Sequence, residues 1–353
     1  MGGVENLPQD FANDPMMTMY MVGVSQAFIP DERRDAMRAA AEARVAELEA
    51  MRDSRAAEIA RDALAARFEI ASIDERLEVL DTIIVLTDSM IAAARARYEA
   101  GEAIQADVIR GQLARSDLEH RTISLRGRRA VAAAELRNLL ALVPETDIPE
   151  LELEATHPLA PAIDPGADTA AVAALQAVVQ RAEAEIALAR AAKRPEWSIE
   201  GAYAFRSEAE NMISLSARIE LPLRRKTRID PRIEEAIAMR NAALARLESL
   251  RRSLAEQASV AWAVLDESAR QIALHEEVLM PQARLAFDST LAAYQTGGAS
   301  FDALLGAATS YMESSTDFYA FLERALRARE DLEALAAGAR TIRVAPAPGA
   351  ESM

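Results

Sequence analysis

Trp197-Ser198-Ile199-Glu200-Gly201-Ala202-Tyr203-Ala204-Phe205-Arg206 changes side-chain character at every residue. One face carries Trp197, Ile199, Gly201, Tyr203 and Phe205, and the other carries Ser198, Glu200, Ala202, Ala204 and Arg206. A period of two is the mark of a β-strand. After the polar run Ser207 to Asn211 the pattern resumes, with Ile213, Leu215, Ala217, Ile219 and Leu221 opposed to Ser214, Ser216, Arg218 and Glu220. Two such strands about a polar turn form a hairpin. A third stretch, Tyr20 to Phe28, sets Tyr20, Val22, Val24 and Phe28 against Met21, Gly23, Ser25 and Ala27. Each is about nine or ten residues, long enough to cross a bilayer when tilted. A half-buried sheet in a soluble protein gives the same alternation, so the pattern alone leaves both readings open.

Two of these strands end at a proline, Pro30 and Pro222. Basic residues follow each, Arg33-Arg34 in one case and Arg224-Arg225-Lys226 with Arg228 in the other. Long helical stretches come next. From Asp31 to Tyr98 the steps of three and four run through Ile59, Ala63, Ala66, Ile70, Ile73, Leu77, Leu80, Ile84, Thr87, Ile91, Ala94 and Tyr98. So sustained a seam predicts a coiled coil. From Asp230 to Tyr294 the seam is Ile233, Ile237, Leu244, Leu247, Leu254, Ala258 and Leu265, with a local bend expected at Pro281.

Both stretches end alike, in Tyr98-Glu99-Ala100-Gly101 and Tyr294-Gln295-Thr296-Gly297. Glycine accepts the left-handed conformation that stops a helix, so each predicts a reversal into a returning helix. The returns run from about Ala103 to Leu142 and from Phe301 to Ala337. Gly101 follows Pro30 by 71 residues and Gly297 follows Pro222 by 75, which exposes an internal duplication. The predicted organisation is therefore an irregular segment over 1–18, a first repeat over 19–143 and a proline-rich connector over 144–167. A second repeat over 168–340, opening with a helix from Asp168 to Lys193, and a disordered tail over 341–353 complete it.

Composition narrows the function classes. The 353 residues carry 40 Lys and Arg against 56 Asp and Glu, a formal charge of −16, which excludes a general nucleic-acid binder. Cysteine is absent and histidine numbers three, so thiolate chemistry and histidine-rich metal sites are excluded. No phosphate loop, His-Glu-x-x-His or Gly-x-Ser-x-Gly signature occurs, and no enzymatic activity or cofactor is expected. No apolar run approaches the ~20 residues of a spanning helix. The acidic, proline-containing start, Met1 to Pro15, lacks a secretory leader and by itself reads as cytosolic.

The alternating strands, the duplicated helical hairpins and the tips Arg97-Tyr98-Glu99-Ala100-Gly101 to Val108 and Tyr294 to Leu304 together resemble the TolC-like outer-membrane efflux family. The resemblance spans about Tyr20 to Ala337. It implies a mainly α fold with a small β part. Antiparallel coiled-coil hairpins would form an α-barrel in a homotrimer, and short strands would contribute to a transmembrane β-barrel. It further implies outer-membrane lipid around the strands, helices in the periplasm, and a periplasmic adaptor (membrane fusion protein) that joins an inner-membrane pump. Passive exit of small molecules or metal ions is the implied function. The family uses four strands per chain and a cleaved signal, so the three strands found here imply further sequence before Met1. Acidic residues that narrow the tunnel mouth in the family are replaced by Ala303 and Gly306, with Asp302 displaced by one.

Gly101, Ile104, Asp107, Val108, Gly297, Ser300, Phe301 and Leu304 are the candidate adaptor-docking residues, as apolar or turn-forming positions at exposed hairpin ends. Capping of the hairpins alone is the plainer role for them. Trp197 and Tyr203 are candidate interface anchors. The basic clusters suit anionic head groups or, more simply, salt-bridged surface. Met16, Met17, Met19 and Met21 could hold Cu(I), which fits the heavy-metal branch of the family, but methionine more often packs as a flexible apolar residue. The net negative charge suits a cation-favouring conduit. A soluble coiled-coil scaffold is the competing function.

Overall fold

A computed structural model of the chain describes residues 2–5, 19–149, 153, 169–206, 210–223 and 225–336. The chain divides into two compact units, Met1–Arg52 with Ala171–Leu250, and Asp53–Ala170 with Arg251–Met353.

The first unit holds a four-stranded antiparallel sheet in sequence order, β1 (Gly2–Glu5), β2 (Met19–Phe28), β3 (Glu196–Arg206) and β4 (Met212–Glu220). Three strands fall where the alternation places them. β1 corrects the reading of 1–18 as irregular throughout and of the fourth strand as lying before Met1: it pairs Gly2 with Val22 and Glu5 with Met19. Four residues beginning Gly-Gly are too few and too plain to alternate. Registers Val22↔Tyr203↔Ile213, Val24↔Gly201↔Leu215 and Phe28↔Trp197↔Ile219 put the aromatic and branched apolar residues of these rows on one face.

Helix α1 (Asp31–Glu99) begins where Pro30 ends the strand, and the Pro30 carbonyl accepts hydrogen bonds from the N–H groups of Arg33 and Arg34. Asp31 and Glu32 place negative charge on its first turn, where the helix dipole favours it. Residues 170–191 form α3, with Val172, Val179, Ala182 and Ile186 inward; α2 is Gln105–Leu139. Glu47, almost fully buried, receives Arg44 and Arg181 at 2.7 Å each, tying α1 to α3. Lys193–Asp230 (2.8 Å), Arg194–Glu32 (2.6 Å) and Arg33–Glu196 link the strand ends to the helix starts. Arg34 pairs with Asp31, so the first basic cluster takes the salt-bridged role.

In the second unit, residues 53–99 of α1 and α2 pack with α4 (Asp230–Leu274, of which 251–274 lie here), α5 (Met280–Gln295) and α6 (Phe301–Ala336). The seam of α1 is buried at Ala66, Ile70, Ile73, Leu80, Ile83, Thr87, Met90 and Ala94. It steps by three from Leu80 to Ile83, where the sequence reading stepped by four to Ile84. Two successive steps of three, from Leu77 to Leu80 to Ile83, advance the buried stripe by one residue against the strictly alternating seam that the sequence predicts. The correction moves Tyr98 off the seam and puts Arg97 on it. On α4, likewise, Ala243 is buried and Leu244 is exposed.

At Pro281, where the sequence predicts a local bend, the structure places a π-turn just before the proline. Residues His275–Leu279 form one π-helical turn, and the Met280 N–H reaches back to the His275 carbonyl. Pro281 has no N–H to offer the ladder, so an extra residue is accommodated just before it. The stripe Ala261, Leu265, Ser268, Ile272, His275 then resumes one residue late and continues to Phe287 and Tyr294.

Polar groups also line this unit. Arg327 pairs with Glu69 and Glu323 at 3.0 Å each, and burial raises the Glu323 carboxyl above its ordinary value. A raised carboxyl stabilises the folded state fully at low pH, and that contribution is lost as pH rises through the raised value. Thermal unfolding of Glu323→Gln in detergent should therefore fall less steeply with rising pH than that of the wild type. Glu47→Ala should destabilise the first unit by about 1–3 kcal/mol, because Arg181 loses its buried carboxylate. Denaturant titration followed by circular dichroism reads that loss, and Glu47→Asp should recover part of it.

Candidate functional surfaces at the helix turns and the sheet

The two hairpin turns repeat one backbone design. Gly101 (φ 76°) and Gly297 (φ 81°) adopt the left-handed conformation. The N–H of Gly101 bonds to the Tyr98 carbonyl and that of Glu102 to the Arg97 carbonyl; Gly297 and Gly298 do the same to Tyr294 and Ala293. These paired bonds satisfy the carbonyls a helix end leaves open. Ser300 then caps α6, its hydroxyl accepting the Ala303 N–H at 3.2 Å. At the matching place in the first copy, Ile104 precedes α2 with no side-chain cap.

Side chains break the symmetry of the duplication. Tyr294 is 2% exposed and Tyr98 is 45% exposed. Arg97, at the next seam position after Ala94, lies with its guanidinium 4.8 Å from the Tyr294 ring centroid and donates Nη1–H to the Tyr294 carbonyl. Burial, and after it the Asp107 charge, raise the Tyr294 hydroxyl, against the opposing effect of Arg97. Arg110 of the first hairpin meets Asp302 of the second at 2.9 Å, and Asp107 lies 3.7 Å from the same arginine. Asp302, the displaced acid of the sequence reading, is thus an ion-pair partner.

Phe301 and Leu304 correct the expectation of exposed apolar tips: they are 2% and 0% exposed. With Met90, Ala94, Phe287, Tyr294 and Ala308 they form the core that holds the hairpin ends together, with Val108 packed against it. Ile104 is 62% exposed, and Tyr98, Ile109 and Leu113 are exposed beside it. The apolar surface at the turns therefore comes from the first hairpin.

Gly111 went unremarked in the sequence. A Cβ there would stand 2.7 Å from Ile91 Cγ1 and 3.2 Å from Phe301 Cζ, so α2 approaches its neighbours only because this side chain is missing. A glycine inside a helical run is the signal that could have found it.

The sheet presents a different surface. Val22, Val24, Phe28, Ile199, Phe205, Ile213, Leu215 and Ile219 are all exposed, Leu215 to 79%. The opposite face carries Gly23, Ser25, Ala27, Ser198, Glu200, Ala202, Ala204, Ser214, Ser216 and Arg218, small or polar residues except for Met21 and Met212 at one end. Trp197 stacks on Phe28 with ring centroids 3.9 Å apart. Among the described residues β4 has no strand on its outer side. No helix among them is long and apolar enough to cross a membrane, and no cluster of three or more His, Cys, Asp or Glu could hold a metal. Met16 and Met17 of the methionine run, and the tail beyond Ala336, lie outside the described residues.

No protein-family model matches this sequence, and no curated protein does. Solved structures do match. The outer membrane protein VceC from Vibrio cholerae superimposes with a TM-score of 0.79 and 16% identity, over 96% of this chain and 85% of that one. CusC, described with respect to folding and transmembrane channel formation, gives 0.78 and 16% identity over 95% and 81%. The Campylobacter jejuni CmeC outer membrane channel gives 0.74 and 10% identity over 96% and 76%. The chain has the fold of these outer-membrane channels, long helical hairpins with a small β part, as the resemblance implied.

Gly111→Ala should cost about 1–3 kcal/mol by overpacking the junction of α2 with Ile91 and Phe301. Gly306→Ala, where the added Cβ meets nothing within 4 Å, should instead stabilise by about 0.5–1 kcal/mol. Amide exchange at the hairpin turns separates the two.

Proposed function

We propose that this chain is the outer-membrane exit duct of a tripartite efflux system, a passive channel with no chemistry of its own. Its strands would sit in outer-membrane lipid, and its helices would extend into the periplasm. The exposed apolar face of β2, β3 and β4 carries this reading. Eight large side chains there are 38–79% exposed; complete exposure of each would cost about 1.5–3 kcal/mol, and a lipid phase removes the share they bear. The small and polar opposite face suits a lumen, since barrel strands alternate apolar-out and polar-in.

The unpaired outer edge of β4 supports assembly. In lipid an open edge leaves N–H and C=O groups without partners, so the sheet closes only against further copies of itself. A homotrimer is the closed form this reading takes. Purified protein should need detergent to stay a trimer, and should insert into vesicles and conduct ions; a monomer stable in plain buffer would favour the scaffold reading.

The hairpin turns are where a periplasmic adaptor would dock, with an inner-membrane pump supplying the energy. Ile104 offers the exposed apolar contact, Asp107 and Ser300 order the turn, and Phe301 and Leu304 support it from beneath. Ile104→Asp, and a bulky replacement of Gly101 or Gly297, should weaken co-purification of the adaptor while leaving the trimer intact. Phe301→Ala should lower thermal stability as well, by about 3–5 kcal/mol, because it empties a buried site. Wild-type adaptor recovery with Ile104→Asp would move docking elsewhere. The acidic composition adds a preference for cations in the conduit, read as reversal potential in a salt gradient.

A further inference from the structure

We propose that the segment joining β4 to α4 forms a binding site for an anionic phospholipid of the periplasmic leaflet. The inference rests on the membrane reading above.

A shallow cleft of about 600 Å³ opens at this junction, lined by Leu221, Pro222, Leu223, Arg225, Lys226 and Thr227. No carboxylate is among those residues. The backbone over Arg225–Ile229 is a single π-helical turn, which keeps four successive polar side chains, Arg225 to Arg228, exposed. Most cations nearby are already spent: Arg33 is paired with Glu196, Arg194 with Glu32 and Lys193 with Asp230. Lys226 forms no ion pair among the described residues. Arg225 donates Nη2–H to the Lys193 carbonyl at 3.3 Å, which fixes its guanidinium at the rim without neutralising it. Two cations and the Thr227 hydroxyl therefore stand ready for an anion.

The other half of the site is apolar. Beyond the exposed Ile213, Leu215 and Ile219 of β4, the chain turns tightly at Pro222, where the Leu223 N–H bonds the Leu221 carbonyl at 2.8 Å, and Leu221 and Leu223 are both exposed there. Leu223 is 84% exposed, the most open large apolar side chain among the described residues. The cleft thus joins apolar side chains just past the sheet, Leu221, Pro222 and Leu223, to the cations Arg225 and Lys226. A phosphate group at the boundary of the hydrocarbon layer meets both at once. An anionic head group is favoured over a zwitterionic one, whose own ammonium Arg225 and Lys226 would repel. The adjoining cavity of about 900 Å³, which Arg228 and Arg232 share with Glu220 and Glu235, has no such bias.

The test uses the full chain in mild detergent, with native mass spectrometry counting bound phosphatidylglycerol and phosphatidylethanolamine. Channel conductance is recorded in bilayers of phosphatidylethanolamine alone. Each interfacial cation contributes about fivefold, so the wild type should retain phosphatidylglycerol on the order of 25-fold more strongly. Arg225→Gln with Lys226→Gln should abolish that preference at unchanged conductance, and Lys226→Gln alone should lower it by about fivefold. Leu223→Ser should weaken retention of both lipids. A preference that survives the double variant overturns the site, and so does displacement of the lipid by inorganic phosphate, which would make it a simple anion site. Conductance with no lipid preference defeats this proposal and leaves the duct standing. Failure to insert into any bilayer removes both.

Discussion

The pairing register of β2, β3 and β4 is the constraint on which the functional reading depends. Because side chains alternate, Phe28↔Trp197↔Ile219 at one end and Val22↔Tyr203↔Ile213 at the other place every large apolar residue between them on one face. A slip of one residue in any strand would mix the faces and erase the distinction between an oily side and a small, polar one. Held as it is, the sheet exposes its large apolar side chains on one side only. On the proposed reading, lipid meets that one side and the lumen meets the other.

The helical part meets a different constraint, the 3.5-residue period that keeps a stripe facing its partners. Two devices maintain it. On α1 two successive steps of three, at Leu77, Leu80 and Ile83, shift the stripe by one residue, so Arg97 falls on the seam after Ala94. Beyond α4 the π-turn at His275–Leu279 absorbs one residue, so the stripe is restored at Phe287 and Tyr294. Both devices converge at the hairpin turns, where Arg97 and Tyr294 meet. The duplicated backbone is retained there while the side chains have diverged: one tyrosine is core and the other is surface, and one turn is capped by Ser300 where the other has Ile104.

Much of this was legible in the sequence because the signals are local and periodic. The alternation from Trp197 to Leu221, the proline at each strand end and the glycine after each tyrosine fixed elements to within about two residues, as local geometry allows. What stayed hidden depends on contacts between distant segments. β1 has four residues and no pattern of its own; only its pairing with β2 defines it. Phe301 and Leu304 read as exposed because a hairpin end is usually open, yet the other hairpin covers them. Arg97, Arg110 and Gly111 carry no signal in isolation, since their roles come from Tyr294, Asp302 and Ile91 across the fold.

Lipid contact at the sheet face is the central claim, and Trp197 reports on it directly. The chain has two tryptophans, so Trp262→Phe leaves Trp197 as the sole reporter. Fluorescence of that variant in vesicles of brominated phospholipid should be strongly quenched and nearly insensitive to aqueous iodide. Unquenched emission that iodide readily suppresses would place the face in water and contradict the account.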